Sequence, residues 1–153
     1  MSAALLLLLP FCAPSAASVR DAAAARFEKA DAHLEKGRYE QARAELAAVK
    51  LAPDDPRQVR RWEREGAVRL REGKIAEARA AFTQALKAAG RLEVKGPDAG
   101  RAYAGMGLVL LRQEKPGLAA RFFKRGLDFE PDEGTRLFLE EQIAELEAAG
   151  RPR

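Results

Sequence analysis

The residues that could do chemistry in this chain are few, and they do not converge. His33 is the one histidine and Cys12 the one cysteine in 153 residues. Serine occurs only at Ser2, Ser15 and Ser18, all near the N-terminus. A serine or cysteine nucleophile needs a base beside it, and a zinc site needs several His, Cys or carboxylate ligands. Asp54-Asp55 has the look of a paired acid and base, but Pro53 and Pro56 flank it, which marks a turn leading into a helix. Gly105-Met106-Gly107 sits inside a helical pattern with no strand before it, so it is not a phosphate loop. What the chain does supply is guanidinium groups. Arg60, Arg64, Arg71, Arg101 and Arg112 lie at helical spacing beside leucines, and the planar arginine fork suits carboxylates. The expectation is a non-catalytic binding protein with no cofactor and no metal.

The elements that would position these arginines come from a helical motif that occurs three times. One copy is Trp62, Gly66, Leu70, Gly73, Ala78, Phe82, Ala85. Another is Tyr103, Gly107, Leu111, Ala119, Phe123, Gly126, Pro131. A weaker first copy is Ala30, Leu34, Gly37, Tyr39, Ala42, Leu46, Val49. They register when Ala42, Ala78 and Ala119 are equivalent, at intervals of 36 and 41 residues. A repeat of this length predicts stacked helix pairs rather than a closed globule. Hydrophobic content is 47%, much of it alanine, which favours helix but buries little surface. That thin core suits a stack in which each pair leans on its neighbours.

These copies resemble the tetratricopeptide repeat, whose pattern is W-x2-L-G-x2-Y, then A-x3-F, then P, in about 34 residues. Trp62 and Gly66 match the first half, and Ala78, Phe82 and Ala85 the second. In the third copy Tyr103 replaces Trp, Met106-Gly107 stands for Leu-Gly, and Ala119, Phe123 and Pro131 complete the pattern. The first copy departs most: Arg26 and Lys29 stand where Trp and Leu are expected, and Pro53 comes a residue early. Glu65 and Arg69 replace apolar residues in the second copy and, four apart on one helix, can pair. The resemblance covers residues 24–131. It implies an all-α helical-hairpin solenoid whose first helices line a concave groove for extended or helical peptides. The family's best-known site clamps a C-terminal carboxylate with Lys and Asn. This chain has no Asn at all, so that chaperone-tail role is not expected.

Residues 1–17 carry no charged side chain, and Leu5–Leu9 is an apolar run ahead of Ser15-Ala16-Ala17. This predicts a signal peptide over 1–17 and a linker over 18–23, although no basic residue precedes the run. Pro10 and the short apolar length argue against a membrane span. The chain is therefore expected to be exported, periplasmic or secreted. A cytoplasmic location is the alternative, and membrane attachment would require a lipid on Cys12. There Phe11 is bulkier than the small residue a lipoprotein signal wants before its cysteine.

Repeats are expected at about 24–56, 57–97 and 98–131, with a capping helix and tail at 132–153. The predicted helices run about 22–36, 39–51, 57–72, 75–89, 98–113, 116–129 and 134–149. Residues 90–100 read as a loop insertion. Gly66 is expected to let two helix backbones approach. His33 reads as a packing residue.

Charge is segregated. Residues 57–125 hold 17 Lys/Arg against 7 Asp/Glu, whereas 126–153 hold 3 against 8 and 21–56 hold 6 against 8. The basic middle should attract acidic partners more than the net charge of +4 implies. On the concave side the expected groove has an apolar floor of Phe27, Leu34, Leu70, Leu108 and Leu111. Its rim is Arg60, Arg64, Arg71, Arg101 and Arg112. An acidic-hydrophobic segment of a partner protein fits such a surface. A second reading is a homo-oligomer in which the acidic last helix meets the basic groove of the next copy. A third, RNA binding, has few stacking aromatics to support it, so no nucleic acid is expected.

Overall fold

The computed structural model describes residues 16–150. The expected signal segment, with Cys12, lies outside them apart from Ala16 and Ala17. All regular structure among the described residues is helical: α1 (Ala16–Glu35), α2 (Tyr39–Ala47), α3 (Gln58–Arg71), α4 (Ile75–Arg91), α5 (Pro97–Arg112), α6 (Pro116–Leu127) and α7 (Glu133–Ala149). The expected linker over 18–23 is instead part of α1, because the alanines at 22–25 extend the helix at no side-chain entropy cost.

Local chemistry sets the helix ends. Gly37 and Gly73 take φ of +68° and +77° just past α1 and α3, the left-handed turn that glycine adopts without strain. The equivalent position in the third copy is Glu114, and the backbone takes the same turn there at φ 57° without a glycine. Pro97 and Pro116 open α5 and α6, where a missing N–H costs nothing. The Asp132 carboxylate caps α7 by accepting from the Thr135 N–H at 2.8 Å.

Helices α1/α2, α3/α4 and α5/α6 form hairpins, and α7 packs on the last of them. The odd-numbered helices touch in succession, α1 on α3, α3 on α5 and α5 on α7, and so form an inner layer. Among the described residues the backbones of α1 and α2 pack on each other and on α3 but not on α5, α6 or α7, so the stack stays open. This is the all-α solenoid that the repeat predicts.

Rings seated over glycines hold the layers together. Phe82 of α4 is buried between α3 and α5. A Cβ on Gly66 would lie 2.7 Å from its ring, and one on Gly105 would meet the ring closer still. Phe123 of α6 does the same over Gly107 of α5 and meets Phe138 of α7 edge-on at 6.1 Å. The glycines therefore admit an aromatic ring, not a neighbouring backbone as the spacing predicted. In the first copy the corresponding residues are Leu46 and Ala30, both buried in one cluster. A smaller knob there fills a smaller hole.

Two further expectations change. The 90–100 insertion is mostly not loop: α4 continues to Arg91 and α5 starts at Pro97. Val94 of the short connection packs with Phe129 on a satellite core of Val59, Ala88, Ala89 and Ala99, and the Gly96 N–H donates to the Phe129 carbonyl at 2.8 Å. Phe27 and Leu34 are not on the open face. Both are buried against Ala42 and Leu46 of α2. With Arg26 and Lys29 where apolar residues were expected, they belong to the one apolar stripe α1 can bury (Ala23, Phe27, Ala30, Leu34). Arg26 itself pairs with Glu45 of α2 at 2.9 Å, an ion pair where the motif has Trp.

Phe82→Ala should cost about 3–5 kcal/mol in urea unfolding, because it empties a hole shared by two inner helices. Gly105→Ala should cost about 1–3 kcal/mol through overpacking against the same ring. A loss below about 1 kcal/mol for Phe82→Ala would show that the ring does not hold the stack together.

Candidate functional site

The inner layer carries a cavity of about 550 Å³ between α3 and α5. Helical periodicity places its lining: Glu63, Ala67, Leu70 and Arg71 from α3, and Arg101, Ala104, Gly105, Leu108 and Arg112 from α5. Phe82 closes the base, and Tyr39 and Gly73 border one end. Leu70 and Leu108 are half-buried and form the apolar floor. Leu111, expected on that floor, does not line the cavity and packs on the main core. Tyr39 was identifiable as a motif residue, but nothing in the sequence placed it at the groove.

The five arginines divide into two groups. Arg71 and Arg112 are exposed and make no ion pair with any described residue. The other three are already engaged. Arg64 lies 2.6 Å from Asp31 of α1 and 2.6 Å from Glu63. Arg60 lies 3.5 Å from the same Asp31, with its guanidinium 4.8 Å from the centre of the Phe27 ring. Arg101 pairs with Asp98 at 2.6 Å and with the capping carboxylate of Asp132. Burial works against the Arg64 charge, yet Glu63 and Asp31 outweigh it and raise its pKa. The Thr135 backbone N–H, joined by Arg101, holds Asp132 below the usual carboxylate range. The expected arginine rim is thus a neutralised network at one end of the groove and a bare cationic pair at the other.

Glu63 is the buried charged side chain among the described residues. Its Oε2 accepts from Arg64 Nη1 at 2.6 Å. Burial pushes its pKa up from 4.5 to about 7, more than the Arg64 and Arg101 charges pull it down. Its place on the inner stripe could be read from the sequence. Its burial could not, since that depends on what α1 and α5 lay over it.

The remaining candidates do not line this cavity. Asp55 accepts from the Arg57 N–H at 2.9 Å and grips the same residue's guanidinium, so Asp55 helps start α3. Arg69 pairs with Glu65 at 2.8 Å, as the spacing predicts, and also reaches Glu77 of α4 at 2.6 Å. His33 is half-buried on α1. No group of His, Cys, Asp and Glu among the described residues could hold a metal. A second cavity of about 480 Å³, which the sequence reading missed, is lined by Arg61, Trp62, Lys87 and Arg91, with the Arg61 guanidinium stacked on Trp62 at 4.8 Å.

Two sequence profiles described as Tetratricopeptide repeat match residues 15–56 and 60–129. The chain belongs to the tetratricopeptide repeat family. The N-terminal domain of stress-induced protein-1 (STI-1) from C. elegans superposes with a TM-score of 0.61, covering 84% of this chain and 98% of that domain. The two are 22% identical, so the likeness concerns the fold. No curated protein matches the chain. Repeats of this family build protein-interaction scaffolds, and that is the class of function this chain belongs to. No helix among the described residues is long and apolar enough to cross a membrane.

The raised Glu63 pKa has a signed consequence. Between about pH 4.5 and 7 the folded state holds a proton at Glu63 that the unfolded state has lost, so stability falls as pH rises through this window and levels off above it. Glu63→Gln removes this penalty. The variant should match the wild type near pH 4 and exceed it at pH 8 by up to about 3 kcal/mol in urea unfolding. A difference that does not grow with pH would show that Glu63 is ionised and fully compensated.

Proposed function

We propose that the chain is a non-catalytic scaffold that holds a segment of a partner protein in the cavity between α3 and α5. The observation that carries this is the pairing of an apolar floor with two uncompensated cations. Leu70 and Leu108 would take an apolar side chain, and Arg71 and Arg112 would take carboxylates beside it. The partner segment is therefore acidic and hydrophobic. Arg60, Arg64 and Arg101 serve mainly to fix α1, α3 and the start of α7 relative to one another, because their charge is spent inside the fold.

The place of action proposed is the bacterial envelope. The uncharged N-terminal seventeen residues with the Leu5–Leu9 run support it. Export with cleavage after Ala17 predicts Ser18 as the first residue on N-terminal sequencing of protein recovered from the envelope fraction. An intact N-terminus in the soluble cytoplasmic fraction would refute export.

Selection of a random peptide library on the immobilised protein tests the groove. Enriched sequences should place Asp or Glu next to Leu, Ile or Phe. Arg71→Glu combined with Arg112→Glu should weaken their binding by at least about tenfold while the helical circular dichroism signal is kept, since neither residue is paired inside the fold. Equal binding by the double variant would place the site elsewhere. Arg64→Glu is not a clean test, because it also breaks the contact with Asp31.

A further inference from the structure

We propose that a bound partner segment meets Glu63 with a side-chain carboxylate of its own, the two carboxyl groups sharing one proton, so that binding takes up a proton. The inference rests on the groove reading above. Glu63 is 4% exposed, yet it lines the cavity. Among the described residues its carboxyl has one hydrogen bond, to Oε2 from Arg64, so Oε1 is the oxygen left for an occupant.

The surrounding charges select the kind of occupant. On its own helix Glu63 is faced by Arg64, which Asp31 of α1 also holds, with Arg60 beside them. From α5 it is faced by Arg101 and Asp98, and Arg101 is held in turn by Asp132 at the start of α7. The remaining charged residues of the cavity wall are Arg71 and Arg112. These two are unpaired, whereas Arg101 is held by Asp98 and Asp132, so a basic side chain entering the cavity is repelled and an acidic one is drawn in. A segment running the length of the cavity from Arg71 and Arg112 would bring a further carboxylate beside Glu63. Two carboxylates that close cannot both be ionised, and one keeps a proton and donates it to the other. Glu63 is suited to be the donor because the free protein already holds its proton up to about pH 7. Above about pH 7 the free protein has lost that proton, so binding must take one up and affinity falls as pH rises.

The test uses three short blocked peptides in one frame, alternating leucine with glutamate, glutamine or lysine. Binding is followed by fluorescence anisotropy between about pH 6 and 8.5, where the glutamates of the peptide stay ionised. The wild type should bind the glutamate peptide about tenfold more weakly at pH 8 than at pH 6. Glu63→Gln, verified as folded by circular dichroism, should vary by less than about twofold. Calorimetry at about pH 8 in two buffers of different ionisation enthalpy should show net proton uptake for the wild type only. A flat wild-type profile overturns the inference, as does an unchanged pH dependence in Glu63→Gln. Preference for the lysine peptide with affinity rising with pH also overturns it, since Glu63 would then be receiving a cation. If binding responds to Arg71→Glu with Arg112→Glu but not to Glu63→Gln, only the shared proton is wrong. If no peptide binds, or binding ignores the two arginines, the groove reading itself fails.

Discussion

An aromatic ring pressed against glycine sets the geometry on which the rest of the structure depends. Phe82 reaches from α4 between α3 and α5 and touches a glycine on each, Gly66 and Gly105. One ring therefore sets the separation of two consecutive inner helices. Phe123 repeats the arrangement one step further along, between Gly107 of α5 and Phe138 of α7. Neither glycine-for-ring exchange can be relaxed alone, because interiors are close-packed and a methyl group has nowhere to go. Phe82 also floors the cavity. The width of the groove and the stability of the stack are thus consequences of one packing choice.

Ion pairs act on top of that packing and align repeats with one another. The basic middle of the chain reaches acids in both flanking segments: Arg60 and Arg64 meet Asp31 in α1, Arg101 meets Asp132, and Lys124 meets Glu147 in α7. Charge segregated along the sequence becomes charge paired across the fold. The partly buried pairs among these contribute modest stability but define which faces oppose, while the exposed Lys124–Glu147 pair contributes little. What is left over, Arg71 and Arg112, marks the part of the groove whose charge the fold itself does not use.

Much of the architecture was legible because motif spacing is a local property. The glycine turns at Gly37 and Gly73, the proline starts at Pro97 and Pro116 and the Glu65–Arg69 pair all follow from near neighbours in the chain. The same reasoning placed Leu70, Arg71, Leu108 and Arg112 on one surface. It failed where a residue's surroundings come from another hairpin. Phe27 shares its inner-face register with Glu63, yet it is core, because α2 and α3 cover it. Val94 and Phe129, far apart in sequence, meet to close a third small core that turns an apparent loop insertion into packing.

The sequence alone determined the helical class, the three-fold repetition and, for α3 and α5, most of the stripe that lines the cavity between them. Backbone hydrogen bonding and a period of 3.6 residues are enough for that. Only the tertiary structure decided which charges on the stripe are spent and which are free, and whether Glu63 lies in water or under its neighbours. Those outcomes depend on desolvation and on distances between helices, and both are created when the hairpins stack.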